Sequence, residues 1–266
     1  LASVPTDKMD WSKVEYKHAQ AVRAYFEKEY RFTTANRKLS ALRGVLKNAW
    51  LLGQMPEAQY RKASQVKTLR GEAKPAGREI SMGEISAIIE ACLDGTPAGV
   101  RDVAIITLLY STGIRRAELV GLDVENYNSE TGKIWVISGK GRKDRPVWVA
   151  NGAKYAMDDW LAIRGDDPGA LFWPVNKSGV MTNKRLSTQA VWRIVEKRAK
   201  IAKVEDISPH DFRRTFITGM IRDHDLSLAA DLAGHADVNT TRRYDMRRDE
   251  EKREAVKGLH VPYNGM

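Results

Sequence analysis

The chain has 266 residues, 42% of them hydrophobic and 29% charged, so it can bury a core and is neither a disordered nor a low-complexity protein. Lys and Arg number 44 against 34 Asp and Glu, and the longest apolar run, 103–110, is far too short to span a bilayer. The single cysteine, Cys92, excludes an internal disulfide and four-cysteine zinc sites, and it leads us to expect a reducing, cytoplasmic location and no metal site.

The first segment of the chain carries most of the excess positive charge and is predicted to be helical. Residues 1–77 hold 15 Lys and Arg against 7 Asp and Glu, whereas 78–266 hold 29 against 27. This asymmetry indicates a polyanion partner for the basic segment, and a well-solvated basic surface is the alternative. Apolar spacing predicts three helices here, near Asp10–Tyr30, Thr34–Leu52 and Pro56–Thr68.

The second of these helices is free of acidic residues, and none occurs between Tyr30 and Pro56. On a helical wheel its apolar residues share one side: Leu39, Leu42, Val45, Leu46, Ala49 and Trp50. Basic and small residues alternate on the opposite side, where small side chains permit a close approach and cations can reach phosphates. We expect that side to contact DNA through Arg37, Ser40, Arg43, Gly44 and Lys47. A helix whose solvated face is basic is the alternative.

The stretch 68–80 carries two glycines and a proline without apolar periodicity, and it is predicted to be an interdomain linker. After it, Ser81 and Glu84 match a capping box that opens a helix. The elements that follow are a buried helix and a short strand pair: Gly99–Ser111, Lys133–Ser138 and Pro146–Val149. Further predicted helices are Asn151–Ile163, Thr188–Ala202, Pro209–Arg222, Leu226–Ala233, Val238–Tyr244 and the charged tail Arg247–Lys257. The chain is therefore predicted to be mainly α with a small antiparallel β-sheet.

Four segments of this second part could carry chemistry, and the first is STGIRRAELVGL, 111–122. A turn at Gly113 ends one helix, and Arg115 and Arg116 open the next. Because an arginine at a helix N-terminus opposes the helix dipole, a nearby anion would explain its placement. Glu118 lies three residues after Arg115 and could hold its guanidinium, although an ordinary surface pair has the same spacing.

The second segment is SGKGRKDR, 138–145, at the tip of the strand pair. Lys140 lies between two glycines, which permit the turn and leave its ammonium group unobstructed. The spacing of a Walker motif is absent, so this is not the phosphate-cradling loop of a protein that binds nucleoside triphosphates, and no nucleotide cofactor is expected. Taken alone, the segment fits an exposed turn lysine equally well. We expect its neighbours Arg142 and Lys143 to contact DNA.

The third segment, SPHDFRRTF, places His210 and Arg213 on one face of a helix. An imidazole and a guanidinium on one face suit a phosphate oxyanion, and a structural histidine beside a surface arginine is the alternative. The fourth segment, LAGHADVNTTRRYD, places His235 in a turn nine residues before Tyr244. A tyrosine by itself is more often a packing residue than a nucleophile.

In chain order the four segments present Arg, Lys, His-x-x-Arg, His and Tyr. The stretches TGIRRAEL, GKGRKDR, PHDFRRTF and LAGHADVNTTRRY resemble the tyrosine recombinase family of phage integrases and Xer-type enzymes. Each motif alone is weak, but four in this order over 78–244 are specific. The basic segment before them resembles the family's helical core-binding domain, which normally has an additional leading helix. We therefore expect a further helix ahead of Leu1.

The resemblance implies a domain organisation and a reaction. The expected segments are a core-binding domain, a linker, a tyrosine recombinase catalytic domain and a tail helix: 1–70, 71–79, 80–246 and 247–266. In the family a tyrosine hydroxyl attacks a DNA phosphodiester, joins the 3′ phosphate and releases a 5′ hydroxyl, without metal or ATP. The matching catalytic residues are Arg115, Lys140, His210, Arg213, His235 and Tyr244, with Glu118 in support. Tyr244 would be the nucleophile, and Lys140 would protonate the departing oxygen.

The implied partners are double-stranded DNA with a specific site and further copies of the chain. In the family the tail helix often docks on a neighbouring protomer, so we expect a tetramer on two duplexes, with a solvated tail as the alternative. Two other functions share part of the pattern. A type IB topoisomerase-like enzyme uses the same tyrosine chemistry without a defined site, and a DNA-binding factor could have lost catalysis.

Overall fold

The structure is a computed structural model that describes residues 10–71, 77–137, 144–235, 237–242 and 244. The chain divides into two compact units, residues 1–76 and residues 77–266. The division lies within the stretch that the sequence marks as a linker, and each unit has its own apolar core. Among the described residues, no helix is both long and apolar enough to cross a membrane.

The first unit consists of a short 3-10 turn and three α-helices in its described part. The turn is Trp11–Lys13, and the helices are α1 (Tyr16–Glu29), α2 (Phe32–Leu51) and α3 (Glu57–Ser64). The predicted helix Asp10–Tyr30 is therefore interrupted, because the backbone is extended at Val14 and Glu15. The three helices pack on one another around two small clusters of buried side chains: Val14, Ala19, Leu39, Leu46, Ala49, Met55, Ala63 and Val66.

The apolar stripe of α2 is narrower than the helical wheel predicts. Leu39, Leu46 and Ala49 are buried as expected, but Val45 is 38% exposed. Val45 lies at the edge of the stripe, and α1 and α3 cover only the centre of it. The basic side of the helix faces away from this core. The exposed residues of this basic side include Arg37, Ser40, Gly44 and Lys47.

The second unit is mostly helical. Its described helices are α4 (Met82–Glu90), α5 (Pro97–Thr112), α6 (Arg116–Gly121), α7 (Asn151–Arg164), α8 (Thr188–Ile201), α9 (Pro209–Asp223), α10 (Leu226–Ala233) and α11 (Val238–Arg242). Helix α5 is apolar on nearly every side, and it lies at the centre, packed against α7, α8 and α9. The capping box of Ser81 and Glu84 opens α4, as predicted. This packing presents the ends of α5, α6, α9 and α10 at one place.

A small antiparallel sheet lies beside these helices. Its strands are β1 (Tyr127–Asn128), β2 (Lys133–Val136) and β3 (Arg145–Trp148), in the order β1-β2-β3, with Ile134 opposite Val147. The inner face is buried and the outer face is exposed. The mainly α fold with a small antiparallel sheet is confirmed. The sequence predicts only β2 and β3, because a two-residue strand such as β1 is too short to show an alternating pattern.

Candidate active site

The end of α5 begins the site, since the chain turns sharply there into α6. Gly113 adopts a left-handed conformation with φ of 58°, and a Cβ atom on it would lie 2.4 Å from the ring of Phe216. Glycine is therefore required on both counts. Arg115 follows as the N-cap of α6, and Arg116 is the first helical residue. Its N-cap position places Arg115, and not Arg116, beside the turn that follows α10, where its Nη2 donates to the Gly234 carbonyl at 3.2 Å.

An arginine at the start of a helix is expected to lie near an anion, and in the structure the anion beside Arg115 is Glu118. Its carboxylate accepts from Arg115 Nη1 at 2.7 Å and from the Arg115 backbone N–H at 2.9 Å. Arg145 Nη2 donates to the same carboxylate at 3.0 Å. Burial alone would raise the pKa of Glu118, but the hydrogen bonds from Arg145 and Arg115 outweigh it and bring the pKa to about 2. Glu118 is thus ionised at neutral pH and bridges Arg115 and Arg145.

Arg145 is a buried residue of this site that the sequence analysis does not single out. Its Nε donates to the Leu232 carbonyl at 2.8 Å, and its guanidinium lies so close to Gly234 that a Cβ there would meet it at 2.6 Å. One signal could have found it. Arg145 lies two residues before the buried Val147 on β3, so the two side chains share the inward face of the strand. A buried arginine requires acidic or carbonyl partners.

Helix α9 carries the next two predicted residues. Ser208 and Asp211 form a capping box that fixes its start, and the Asp211 carboxylate also accepts from the Arg78 backbone N–H at 2.9 Å. Near the start of the helix, Arg213 is only 3% exposed. His210 precedes it on the same face and lines a groove of about 540 Å³ together with Arg115, Arg116 and Arg213.

The guanidinium of Arg213 joins three parts of the site. Nη1 donates to the Gly113 carbonyl at 2.6 Å, and Nη2 donates to the Ala233 carbonyl at 2.7 Å and to His235 Nε2 at 2.8 Å. Burial, together with the nearby charge of Arg115, lowers the pKa of Arg213 to about 10, so the group remains charged at neutral pH. Two backbone carbonyls stabilise this charge without neutralising it.

His235 lies in the turn after α10, whose left-handed C-cap is Gly234. Its Nδ1 is 2.7 Å from the hydroxyl of Thr241, a completely buried residue of α11. Burial and the positive charge of Arg213 lower the pKa of His235 to about 4. The imidazole is therefore neutral at pH 7, and the cations around it hold it neutral.

Tyr244 follows α11 and faces both histidines. Its hydroxyl is 3.5 Å from His210 Nε2, and its ring stacks at 6.2 Å on the ring of His235. Burial and the charge of Arg213 lower the pKa of His210, so this imidazole also favours its neutral form at pH 7. A neutral imidazole at the end of a long hydrogen bond can accept a phenolic proton.

Five of the six predicted catalytic residues therefore lie in one cluster, which we call the arginine–histidine pocket: Arg115, His210, Arg213, His235 and Tyr244, with Glu118 beneath. Lys140 lies outside the described residues, as do Arg142, Lys143 and the tail 247–266. Thr241 belongs to the pocket and was missed because Thr is common at surface positions. Within the described part of the chain, no cluster of His, Cys, Asp and Glu side chains could hold a metal ion.

The expected DNA contacts on α2 are not equivalent in the structure. Arg37, Ser40, Gly44 and Lys47 are exposed. Arg43 instead turns toward its own unit and donates to the carbonyl of Val66. A Cβ at Gly44 would meet no atom of the described residues within 4 Å, so the fold itself does not require glycine there.

Comparison with known proteins points to one family. Residues 78–251 match the phage integrase family. Tyrosine recombinase XerD of Neisseria meningitidis serogroup B is 36% identical over 172 residues, which are 62% of this chain and 57% of that protein. Tyrosine recombinase XerC of Thermodesulfovibrio yellowstonii is 36% identical over 223 residues, 80% of this chain and 70% of that protein. The chain thus spans between 57% and 70% of the length of these two relatives.

The fold agrees with this match. A crystal structure of the XerH site-specific recombinase bound to palindromic difH substrate superposes with a TM-score of 0.68 and 22% identity, over 92% of this chain and 72% of that one. At this identity the likeness concerns the fold alone. Because the family match covers most of the chain and a curated relative is similar over most of its own length, the chain belongs to the phage integrase family of tyrosine recombinases.

Proposed function

We propose that the chain is a site-specific DNA recombinase that cuts and rejoins DNA through a covalent bond between Tyr244 and a 3′ phosphate. The observation that carries this proposal is the position of the Tyr244 hydroxyl, 3.5 Å from His210 Nε2 and beside a buried Arg213. A nucleophile, a proton acceptor and a phosphate-binding cation are then within reach of one phosphodiester. The names of the XerC and XerD relatives, both tyrosine recombinases, support the same reaction.

Arg115 and Arg213 are the residues that would bind the scissile phosphate. Glu118 and the Gly234 carbonyl hold the Arg115 guanidinium, and the carbonyls of Gly113 and Ala233 hold that of Arg213. Little reorganisation is therefore needed when charge develops on the phosphoryl oxygens. Fixed cations of this kind stabilise the negative charge on a pentacoordinate phosphorus. This supports a mechanism that requires neither a metal ion nor ATP.

The attacking step moves one proton and exchanges one bond. The Tyr244 oxygen forms a bond to phosphorus while the bond from phosphorus to the 5′ oxygen breaks. The phenolic proton passes to neutral His210, which its lowered pKa keeps available as an acceptor. A free tyrosine titrates at a pKa of about 10, so this transfer and the nearby cations are needed at neutral pH.

The departing 5′ oxygen needs a proton, and we propose that Lys140 supplies it. This role comes from the resemblance of the GKGRKDR segment to the family's hairpin lysine. Resealing is the reverse reaction, in which a 5′ hydroxyl of a partner strand attacks the phosphotyrosine and restores the phenol. The ester conserves the energy of the original bond, so no energy source enters the cycle.

DNA recognition is proposed to use the acid-free face of α2. Arg37 and Lys47 are exposed there and suit contacts to backbone phosphates, which are independent of sequence. Exchange between two duplexes cuts four strands, one for each Tyr244. A tetramer assembled on the DNA, with tail 247–266 joining neighbouring copies, fits that count.

The test is a selection with DNA of random sequence. A pool of nicked duplexes, in which the fragment released by cleavage diffuses away, is incubated with the tagged chain in EDTA. Covalent complexes that survive denaturant are then recovered and sequenced. We expect a single consensus site, adducts through the 3′ phosphate, and a free 5′ hydroxyl that polynucleotide kinase can label. Tyr244→Phe is the matched control, and adducts formed by that variant would overturn the proposal.

The same selection separates the other candidate functions. Adducts at unrelated sequences, formed by a monomer, would indicate a type IB topoisomerase-like enzyme. Protected DNA without any adduct would indicate a DNA-binding factor. A strict requirement for Mg²⁺ would contradict the metal-free mechanism.

A further inference from the structure

Thr241 contacts both His235 and the segment of Tyr244. Its side chain is completely buried, and its hydroxyl is 2.7 Å from His235 Nδ1. Its backbone carbonyl accepts from the Tyr244 N–H at 2.9 Å. Because Thr241 is completely buried, its side chain cannot touch a phosphate that enters the pocket from solvent. Any effect of Thr241 on phosphate chemistry must therefore pass through another residue.

The hydrogen bonds of His235 identify which ring nitrogen carries its proton. Arg213 can only donate, so His235 Nε2, which lies 2.8 Å from Arg213 Nη2, must accept. A neutral imidazole with an accepting Nε2 is protonated on Nδ1. In this arrangement Nδ1–H donates to the Thr241 hydroxyl oxygen, and His235 is held as the Nδ1–H tautomer.

This tautomer is the wrong one for holding a phosphate. The free oxygens of a DNA phosphodiester only accept hydrogen bonds, so His235 can bind them only through a protonated Nε2. A doubly protonated ring would supply that donor, but the charged groups facing His235 from the elements around it are mostly cations: Arg213 of α9, Arg115 at the start of α6, Arg145 of β3, and one acid, Glu118 of α6. Exchange of tautomer in a neutral ring avoids a fourth positive charge.

We propose that Thr241 is the positioning residue that allows His235 to exchange tautomers when a DNA phosphate enters the site. A hydroxyl can both accept and donate, so it pairs with Nδ1 in either tautomer. As seen here it accepts from Nδ1–H; with phosphate bound it turns and donates to Nδ1, and Nε2–H donates to the phosphate. Solvent water accepts the proton of Nδ1 and supplies the proton of Nε2, so the ring stays neutral and the number of protons is unchanged. The proposal rests on the proposed phosphate-binding site.

The exchange also releases Arg213. Its Nη2 donor to His235 becomes available for the phosphate at the moment that His235 Nε2 turns from acceptor to donor. The entering anion therefore accepts from both side chains in place of their mutual hydrogen bond. The Arg213 contacts with the carbonyls of Gly113 and Ala233 can remain, so the guanidinium keeps its position.

The direct test is the ¹⁵N NMR spectrum of histidine-labelled full-length chain, which distinguishes protonated from unprotonated ring nitrogens. The five histidines are His18, His210, His224, His235 and His260. Spectra of His235→Gln assign the signals of His235. Without added anion we expect Nδ1 protonated and Nε2 bare. With dimethyl phosphate, a diester that cannot donate a hydrogen bond, and with the selected duplex, we expect the reverse in a neutral ring. An unchanged tautomer, or a doubly protonated ring, would overturn the proposal.

Kinetics of adduct formation on the selected site provide the second test. Thr241→Val keeps the branched shape and removes the hydroxyl, and we expect adduct formation at saturating DNA to slow about 10- to 100-fold with little change in Kd. Thr241→Ser retains a hydroxyl and should stay within about threefold of the wild type. Thr240→Val, one residue away, is the matched control and should behave as the wild type.

A pH profile separates this role from a purely structural one. In the Thr241→Val variant, the His235 ring can still donate from Nε2 when it is doubly protonated. The ratio of the variant's rate to the wild-type rate should therefore rise as the pH falls from about 7.5 to about 5.5. A constant ratio with a lowered Tm would mean that Thr241 only stabilises the fold. If no DNA yields an adduct, the proposed function fails, whereas the spectra with dimethyl phosphate still decide the role of Thr241.

Discussion

The positive charges of the two units are placed in opposite ways. On α2 of the first unit, Arg37 and Lys47 are exposed, and the helix carries no acidic residue. In the second unit, Arg145 and Arg213 are buried and donate to backbone carbonyls or to Glu118. Exposed cations are screened and interchangeable, so they supply affinity for any duplex. Buried cations are fixed in direction, so they can act on one phosphate.

Net charge conceals this difference. The second unit holds 29 Lys and Arg against 27 Asp and Glu from residue 78 onward, and it would pass for a neutral domain. A few of those cations meet at the arginine–histidine pocket. There, the low pKa of His235, at about 4, records how strongly burial and Arg213 disfavour a further positive charge. The comparison predicts that changes in the pocket alter rate, whereas changes on α2 alter affinity.

The largest effect is expected for Tyr244→Phe. The variant lacks the oxygen that is proposed to attack the phosphate but keeps the ring that stacks on His235. Adduct formation should fall by at least about 10³-fold, while Kd for the selected duplex stays unchanged. Denaturing gels measure the adduct, and a filter-binding assay measures Kd. A comparable loss of binding would show that the hydroxyl also contributes to DNA affinity. It would contradict the expectation that changes in the pocket alter only the rate.

The next effect distinguishes two adjacent arginines. Arg115→Ala removes a guanidinium that is held by Glu118 and by the Gly234 carbonyl, and the cleavage rate should fall about 10²- to 10³-fold. Arg116→Ala removes a side chain for which the described residues show no such contacts, and it should cost less than about tenfold. Single-turnover rates at saturating DNA compare the two. Equal losses would mean that Arg116 shares the phosphate.

The sequence predicts the residues that form the site better than it predicts the residues that hold them in place. Arg115, His210, Arg213, His235 and Tyr244 belong to motifs that resemble those of the tyrosine recombinase family, and it is this resemblance that implies that they meet in one site. Arg145 and Thr241 were missed, because their roles depend on contacts between different elements of the fold. Arg43 shows the opposite failure. The helical wheel places it on the basic side, but its long side chain bends back to the Val66 carbonyl.

Glu118→Gln tests whether the buried cations depend on their anion. The pKa of Glu118 lies at about 2 in the folded chain, below an ordinary value of 4.5, so its ionised form stabilises the fold. That contribution, on the order of 3 kcal/mol, is complete above about pH 4.5 and is lost as the pH falls toward about 2. Urea unfolding of wild type and variant should therefore differ at pH 7 and converge at low pH.

Glu84→Gln is the matched control for that measurement. Glu84 also has a pKa of about 2, lowered first by a hydrogen bond from Arg78, but it lies near the surface, where water screens the pair. Its loss should change the free energy of unfolding less than the loss of Glu118 does. It should leave the rate of adduct formation unchanged, since Glu84 caps α4 and is absent from the pocket. Equal destabilisation by the two variants would contradict the special role of burial.

The smallest effect on chemistry is expected on α2, where the exposed cations face the solvent. Arg37→Ala and Lys47→Ala would each remove one of the proposed phosphate contacts, so each should weaken DNA binding several-fold and lower the slope of log Kd against log salt by about 1. The rate of adduct formation at saturating DNA should not change. Arg61→Ala on α3 is the control, because Arg61 is already paired with Glu57 at 2.7 Å.

Arg43→Ala tests whether DNA binding by α2 depends on the net charge of the helix or on which of its side chains face the solvent. Net charge alone predicts the same salt slope for Arg43→Ala as for Arg37→Ala. The structure predicts otherwise, because the Arg43 guanidinium donates to the Val66 carbonyl within its own unit. Its loss should lower the Tm of the chain and leave the salt slope close to that of the wild type. An equal change of slope for both variants would mean that Arg43 leaves Val66 to contact DNA, and that the α2 face acts through charge alone.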